Sequence, residues 1–301
     1  MRASPMSEAV GVEIRDLDLG HLTDSAFADI RDLFHEHGMI AFRDQELTPE
    51  DHIAFAERWG EIDINRFFHP VAGHPQIAEV LKEPDQTSNI GGGWHTDHSY
   101  DQVPAMGSIL KAVELPATGG DTKFAGMSAA YDGLSDDLKA KVEHLEAHHG
   151  SAQVFGTGAA EAANAGDRFG NADAAVQEAV HPVVLTHPET GRQGLYVNAA
   201  FTTHIIGMDE EESRALLFAL YAHCSQDEYH TTLKWRPGTV AMWDNRSTWH
   251  WALNDYHGQR RYLPDIASPP RRHSSTRERR KKEGKWERLQ EKEKRRGRKK
   301  E

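Results

Sequence analysis

Two histidines and one carboxylate, placed in distant parts of the chain, most constrain how this sequence can fold. His95 and Asp97 are separated by one residue, and His250 follows far downstream in Thr248–Leu253. On extended backbone the side chains of His95 and Asp97 point to the same side, because successive residues of a strand alternate. Two imidazoles and a carboxylate are the ligand set that holds non-haem Fe(II) on one face and leaves the opposite positions open. If the three share an ion, the fold must bring a distant strand alongside His95.

A planar cation follows the second histidine. Arg261 lies eleven residues beyond His250, and only arginine offers a fork that clamps a carboxylate with two parallel hydrogen bonds. Arg260 is adjacent and, on a strand, would point to the other face, so we assign it to surface charge. An iron site with a carboxylate clamp beside it suggests an Fe(II) oxygenase that uses a 2-oxo acid.

Each of these features is weak when it is taken alone. The chain has 19 histidines and 47 acidic residues, so a histidine close to an aspartate arises easily by chance. In the alternative interpretation, one histidine is a loop residue bonded to the neighbouring aspartate, and the other packs beside its flanking tryptophans. The functional interpretation is favoured by the joint pattern of His95-x-Asp97, Thr122 in Gly119-Gly120-Asp121-Thr122, His250 and Arg261.

This joint pattern resembles the taurine dioxygenase and chlorophenoxyacetate dioxygenase family of Fe(II)/2-oxoglutarate-dependent oxygenases. The resemblance runs from about Gly11 to Leu263. It implies that the iron ligands are His95, Asp97 and His250. An iron-bound Asp97 argues against a halogenase of the same superfamily, because halide would need the coordination position that the carboxylate fills.

The resemblance also implies an organic cosubstrate. Thr122 and Arg261 correspond to the pair that holds the distal carboxylate of 2-oxoglutarate, and a dianion needs a fixed cation with a hydroxyl to complete its hydrogen bonding. With O2, the implied reaction hydroxylates a small acidic substrate and yields succinate and CO2. Where the hydroxylated carbon bears a heteroatom, the product collapses with C–S or C–O cleavage.

Four residues are candidates for contact with the substrate. His69 looks like a substrate-contacting histidine of the taurine enzyme, although a loop histidine before proline is an equal alternative. Phe155 and Phe201 are candidate walls for an apolar substrate body, with ordinary core packing as the alternative. Arg246 is a further candidate cation at the mouth of the site.

Two positions depart from the family pattern. The family usually carries a second arginine four residues beyond the clamp, which engages the sulfonate in the taurine enzyme, and this chain has Asp265 there. Gly91 falls where the taurine enzyme has a substrate-contacting asparagine. We therefore predict a small organic acid with an apolar body, a carboxylate or an ether-linked acid rather than taurine.

The body of the chain predicts many short strands with a few helices. Helices are expected to begin at Thr23 or Asp24, at Thr48 and near 208, each with an apolar face. The predicted strands are Gly11 to Leu19, Met39 to Phe42, Ile77 to Leu81, Gly107 to Ala112, Val183 to Thr186, Gly194 to Val197, Thr231 to Trp235, Thr239 to Trp243 and Thr248 to Leu253. This mainly β pattern with flanking helices suits a double-sheet jelly roll. The family resemblance implies that the core is a double-stranded β-helix.

Charge divides the chain into two parts. The net charge is -12, yet residues 271–301 hold 16 Lys and Arg against 6 Glu, which leaves -22 for the remainder. We predict an oxygenase domain over 1–263 and a linker with a basic tail over 264–301. Pro264–Pro270 is expected to end a strand and begin the linker, and the tail has too little apolar surface to fold alone.

Two other functions remain open. The basic tail could recruit a nucleic-acid-directed hydroxylase, although the acidic body argues against docking on nucleic acid. A binding protein on the same fold could carry a residual iron site, but all five cofactor positions are present.

The remaining expectations concern environment. A single cysteine, Cys224, excludes an internal disulfide framework and fits a reducing cytoplasm. The longest apolar runs fall short of a membrane span, and the first residues lack the apolar region of a signal peptide. Residues 156–180 are expected to form a lid or a disordered loop. A homo-oligomer is also expected.

Overall fold

The structure is a computed structural model, which describes residues 1–156 and 175–268. The chain divides into a unit of Met1–Pro270 and a second unit of Arg271–Glu301. The predicted basic tail and most of the predicted lid therefore lie outside the described residues.

Helices pack against the sheets of the first unit. Their bounds are α1 Asp24–His37, α2 Pro49–Glu57, α3 Met127–Asp132, α4 Asp136–Val142, α5 Ala152–Phe155 and α6 Glu210–Cys224. The three longest are the predicted ones, and their N-caps explain why. Thr23 accepts from the amide of Ala26 at the start of α1, and Thr48 closes a capping box with Asp51 at the start of α2. In the described residues no helix is long and apolar enough to cross a membrane.

Strands make up most of the remaining regular structure. Their bounds are β1 Arg2–Pro5, β2 Val12–Arg15, β3 Met39–Phe42, β4 Pro70–Val71, β5 His74–Lys82, β6 Gly107–Lys111, β7 Thr122–Gly126, β8 Glu146–Gly150, β9 Glu178–Pro182, β10 Val184–Thr186, β11 Gln193–Leu195, β12 Thr202–Ile205, β13 His230–Leu233, β14 Val240–Asp244, β15 Thr248–Ala252 and β16 Arg261–Ser268.

One large sheet forms the first layer. Its strand order is β1-β2-β3-β14-β6-β16-β5-β4, with β2 and β3 parallel and the other pairs antiparallel. Alternate residues serve opposite faces: Ile40 and Phe42 pack under α1 and α2, whereas Met39 and Ala41 face the second layer. Both faces of the central strands are buried, so these strands are continuously apolar in sequence.

Smaller sheets form the second layer. They have the orders β13-β7-β15, β12-β8-β9 and β10-β11. Phe124 of β7 and Leu233 of β13 share a buried cluster with Trp243 and Leu263 of the large sheet. On the far side, α6 packs Leu216 and other residues against this layer. The result is the predicted double-layered jelly-roll core, with its sheets open rather than closed into a barrel.

The prediction that a linker begins at Pro264 is wrong, because β16 continues to Ser268. Pro264 pairs with Glu79 of β5. The amide of Tyr262 donates to the carbonyl of Glu114. The nitrogen of Pro264, two residues further along the strand, faces the same edge of β16. On that edge, pairing with β6 begins only at Asp265, after the proline. The proline thus occupies a position where no ladder donor is needed.

The predicted lid over 156–180 is also wrong at its C-terminal end. Residues Glu178–Pro182 form β9 and pair antiparallel with β8. Ala179 and His181 are buried while their neighbours are exposed. The strand escaped prediction because small and polar residues, rather than large apolar ones, occupy its inward positions.

Candidate active site

A pair of backbone hydrogen bonds joins the two distant histidines. The amide of His95 donates to the carbonyl of His250 at 3.1 Å, and the reverse bond measures 2.8 Å. His250 lies in the middle of β15, and the two rings lie 4.0 Å apart between centroids. The sequence predicts that a distant strand lies alongside His95, and that strand is β15. The segment of His95 itself is a single β-bridge rather than a regular strand.

The two imidazoles converge on Asp97. Nε2 of His95 lies 3.6 Å from Oδ1 of Asp97, and Nε2 of His250 lies 3.7 Å from Oδ2. These separations are too long for hydrogen bonds. One ligand atom from each of the three residues lies within 4.8 Å of the others, so the donors surround one point without bonding one another. The nitrogen and oxygen donor set fits a non-haem Fe(II) centre.

Neighbouring groups orient the three side chains. Nδ1 of His95 donates to the carbonyl of Gly93 at 2.8 Å, which leaves Nε2 as the unprotonated ligand atom. Ser108 Oγ donates to Oδ2 of Asp97 at 2.9 Å. Burial alone would raise the pKa of Asp97, but the charges of both histidines and the Ser108 bond bring it below its ordinary value. Burial, with a contribution from His95, lowers the pKa of His250 to about 3. A neutral His250 beside an ionised Asp97 is the protonation state that metal ligands require.

Backbone conformation around the triad depends on glycine. Gly91 has φ of 72°, and a Cβ at this position would lie 3.0 Å from Cε1 of His95. A side chain at Gly91 would therefore press on a candidate ligand, in a conformation that L residues rarely adopt. After Asp97 the chain turns sharply, and His98 has φ of 59°.

Arg261 is a buried cation at the start of β16, with 4% of its surface exposed. Its Nε donates to the carbonyl of Gly120 at 3.0 Å, and a terminal nitrogen lies 3.4 Å from Oγ1 of Thr122. Burial lowers the pKa of Arg261. Within the described residues no carboxylate forms an ion pair with this guanidinium, and a buried charge without a counter-charge is costly. An anionic ligand would supply that counter-charge.

Arg260 has the opposite environment. It is half-buried and forms ion pairs with Glu83 and Glu114. Arg260 lies just before β16, and its side chain is directed to the surface while that of Arg261 is buried, as the sequence predicts.

Two cavities with several lining residues in common adjoin the triad. The inner cavity reaches from His95 and Asp97 to Thr122, Trp235 and Arg261 at one end and Asp265 at the other. The outer cavity is bounded by residues 88–95, with further walls contributed by Phe155, Ala200 and Phe201. The arrangement can hold a metal, an anion and a substrate side by side.

The two predicted apolar walls contribute to both packing and cavity surface. Phe155 stacks on Phe67 with ring centroids 4.2 Å apart and lines both cavities. Phe201 packs 5.9 Å from Phe155 and lines the outer cavity. Phe155 and Phe201 therefore take part in core packing and also form part of the cavity wall.

The other two substrate candidates lie elsewhere. His69 is exposed and does not line either cavity. Arg246 is 6% exposed and forms ion pairs with Asp244 at 2.6 Å and Glu189 at 2.8 Å. The prediction that Arg246 serves the mouth is wrong, because Asp244, two residues earlier, engages its guanidinium.

Sequence reasoning missed several residues of the site. Trp235 donates its indole N–H to Oγ1 of Thr122 at 2.9 Å, and Ser108 orients Asp97. Ser108 is a lone hydroxyl in an apolar strand, which is a signal that could have marked it. Asn65 and Tyr100 also line the inner cavity, but loop residues of this kind carry no periodic signal.

Asp265 stands apart from the other lining groups. Its Oδ1 is buried and has no hydrogen-bond partner in the part of the chain described. Burial, and then the negative charge of Asp97, raise the pKa of Asp265 to about 8.

A metal triad, a buried cation and a jelly-roll core together define the class of Fe(II)/2-oxoglutarate-dependent dioxygenases. Residues 2–265 match the family described as taurine catabolism dioxygenase TauD, TfdA family, and the chain belongs to this family. It uses Fe(II), 2-oxoglutarate and O2.

Relatives and solved structures agree with this assignment. The chain is 34% identical over 258 residues to an (S)-phenoxypropionate/alpha-ketoglutarate-dioxygenase of Sphingobium herbicidovorans, covering 83% of this chain and 88% of the relative. It is 31% identical over 273 residues to the alpha-ketoglutarate-dependent 2,4-dichlorophenoxyacetate dioxygenase of Cupriavidus pinatubonensis, covering 82% and 90%. A taurine dioxygenase structure from Burkholderia xenovorans superposes with a TM-score of 0.76 at 33% identity, covering 89% of this chain and 90% of that one. The structure of AAD-2 in complex with Mn(II) and N-oxalylglycine gives 0.74 at 26% identity, covering 89% and 97%.

Proposed function

We propose that this enzyme hydroxylates a small organic acid with an apolar body, at an iron held by His95, Asp97 and His250. The observation that carries the proposal is a buried Arg261 that forms no ion pair among the described residues, in the same cavity as three converging metal ligands. The bound iron and 2-oxo acid would supply the oxidative decarboxylation that couples O2 to hydroxylation of a C–H bond.

The residues of this chain divide the remaining work. Arg261 binds the distal carboxylate of 2-oxoglutarate, and Thr122 completes its hydrogen bonding while accepting from Trp235. The Gly93 carbonyl and Ser108 hold two of the ligands in orientation. Apolar walls exclude water from the space beside the triad, which strengthens the electrostatic contacts inside it.

The cavity supports a carboxylate or an ether-linked acid more than taurine. Its walls include Phe68, Phe155 and Leu110, which suit an aryl or alkyl body. A sulfonate has a permanent charge and would meet the carboxyl of Asp265 rather than an arginine. The two sequence relatives described above are named for phenoxyalkanoates, which agrees with an ether-linked acid. Collapse of the hydroxylated product by C–O cleavage would then follow.

The test is a comparison of substrates with the purified full chain, Fe(II) and 2-oxoglutarate. Aryloxyalkanoates, alkyl sulfates and taurine are supplied at matched concentration, and succinate is measured. We expect the aryloxyalkanoates to give the most succinate. Taurine as the best substrate by a wide margin would contradict the proposal that Asp265 disfavours a sulfonate.

A variant tests the iron site within the same experiment. His95→Ala should abolish both succinate formation and Mn(II) binding measured by calorimetry. His144→Ala is the matched control, because His144 is exposed and lies far along the chain from the triad. Metal binding that survives in His95→Ala would contradict the proposed ligand set.

We further propose a cytoplasmic homo-oligomer. A single cysteine that is buried and unpaired supports a reducing compartment. Phe218 on α6 is 63% exposed, and a contact between subunits would cover it. Light scattering of the purified chain tests the oligomeric state.

A further inference from the structure

The inner cavity has two chemically opposite ends on one strand. Arg261 and Asp265 are four residues apart on β16, so their side chains leave from the same face of the sheet. At a rise of about 3.3 Å per residue they are separated by roughly 13 Å along the strand. Both line the inner cavity. If 2-oxoglutarate occupies the arginine end, the substrate is left with the aspartate end.

One oxygen at the aspartate end has no donor. Backbone amides of Ile109 and Ile266 bond the carboxyl of Asp265, but its Oδ1 is buried and unpartnered within the described residues. The register neighbours on the two flanking strands are Leu110 and Ala78, whose side chains cannot donate. Buried polar groups in native proteins are nearly always hydrogen-bonded, so this oxygen points to a ligand that brings the donor.

The surrounding charge favours a cationic donor. His98 is the basic side chain whose charge acts on Asp265, but its Nδ1 is bonded to Asp101 at 3.0 Å and lies 3.8 Å from Asp63. Arg66 is likewise paired with Asp101. A bound metal would neutralise Asp97 but would leave Oδ1 of Asp265 without a hydrogen-bond donor.

We propose that Asp265 determines substrate specificity by accepting a hydrogen bond from an amino group on the apolar body of the acid. The inference rests on the proposed function, since it places the substrate in the inner cavity beside the triad. The substrate class is then a carboxylic acid with an aryl or alkyl body that also carries an ammonium group, bound with that group at the Asp265 end.

A pair of nearly isosteric acids tests the proposal. The full chain is loaded with Mn(II) and N-oxalylglycine, and binding of 4-(aminomethyl)phenoxyacetate and 4-ethylphenoxyacetate is measured by calorimetry. We expect the amine to bind at least tenfold more tightly. Equal binding, tighter binding of the ethyl compound or binding of neither would overturn the proposal.

Variants locate the effect. Asp265→Asn keeps the shape but removes the charge, and the preference for the amine should fall to less than twofold. Glu79→Gln is the matched control, because it removes a carboxylate from β5 at a position that pairs with Pro264 and alternates with the cavity-lining Val80. It should retain the full preference. A preference that persists in Asp265→Asn would overturn the proposal even when wild type shows it.

Turnover of the same acids by the chain with Fe(II), 2-oxoglutarate and O2 distinguishes this failure from that of the proposed function. Succinate formation with 4-ethylphenoxyacetate in wild type would support the dioxygenase role while a missing amine preference overturns the role of Asp265 alone. Failure of the chain to bind Mn(II) and N-oxalylglycine would overturn both.

Discussion

Arg261 is the first residue of β16, and its neighbour Arg260 lies in the opposite environment. Arg260 reaches surface carboxylates, whereas Arg261 is buried beside Thr122. We expect Arg261→Lys to weaken 2-oxoglutarate binding by about 1–3 kcal/mol, because an ammonium cannot reproduce the bidentate fork. Calorimetry on the Mn(II)-loaded protein measures it, with Arg260→Lys as the control that should bind normally.

Thr122→Val provides a graded comparison. The hydroxyl of Thr122 contributes a single neutral hydrogen bond, so the loss of 2-oxoglutarate binding free energy should be smaller than in Arg261→Lys. Unchanged 2-oxoglutarate affinity in Arg261→Lys would contradict the assignment of Arg261 as the clamp.

For individual residues, the sequence was informative where several residues of the right chemical type occurred together at the right spacing. The convergence of His95, Asp97 and His250, and the position of Arg261 beside Thr122, could be predicted because the residue types and their spacing act jointly. His69 could not be placed, because a loop residue has no periodicity to show which way it faces. The burial of Arg246 depended on Asp244 and on Glu189, which is distant in sequence.

Among the elements, β16 has the clearest consequence for stability. Beyond Leu263 it buries Ile266, which is 0% exposed, and Ala267, which is 4% exposed, and it supplies the pairing with β6. Removing Ile266 alone costs about 1.5–3 kcal/mol of burial, against a typical total stability of about 5–15 kcal/mol. A chain ending at Leu263 should therefore lose its cooperative thermal unfolding, as followed by circular dichroism.

A chain ending at Pro270 is the control for that truncation. It retains all of β16, so both its melting temperature and its turnover of a small acid should match the full chain. Loss of turnover on removing residues 271–301 alone would instead support the nucleic-acid-directed alternative. Folding of the shorter chain would contradict the structural role of Pro264–Ser268.

A helix could be predicted from the sequence when one of its faces was strongly apolar and a capping residue marked its N-terminus. The helices α1, α2 and α6 satisfy both conditions. In contrast, β8 and β9 bury alanine and histidine rather than large apolar side chains, so their alternation is invisible to a hydrophobic pattern. The length of β16 was underestimated because proline usually ends a strand. Here the nitrogen of Pro264 lies where no neighbouring strand needs a hydrogen-bond donor.

For the whole molecule, a buried histidine links stability to pH. His52 on α2 is 1% exposed, and its Nε2 bonds the carbonyl of Ile109 at 3.1 Å. Burial lowers its pKa to about 4. The unfolded chain, with an ordinary value of about 6.5, takes up the proton first as the pH falls. Stability should therefore drop from about pH 6.5 down to about pH 4, by about 3 kcal/mol from this residue.

His52→Gln tests this dependence. Glutamine can still donate to Ile109 but does not titrate, so urea unfolding of the variant should be less sensitive to pH across that window. His144→Gln, at an exposed position, should retain the wild-type slope. Identical slopes in wild type and His52→Gln would contradict the prediction.

The strand order of the large sheet has a consequence for how the chain is made. The strands β14 and β16 come late in the sequence, yet β14 lies between β3 and β6, and β16 lies between β6 and β5. Until these late strands leave the ribosome, the earlier ones have exposed edges and no neighbours to close the sheet. Such long-range pairing folds slowly and leaves apolar edges open to association. We therefore expect synthesis of this enzyme to depend on chaperones that hold the first two hundred or so residues apart from other nascent chains, on the order of a domain length.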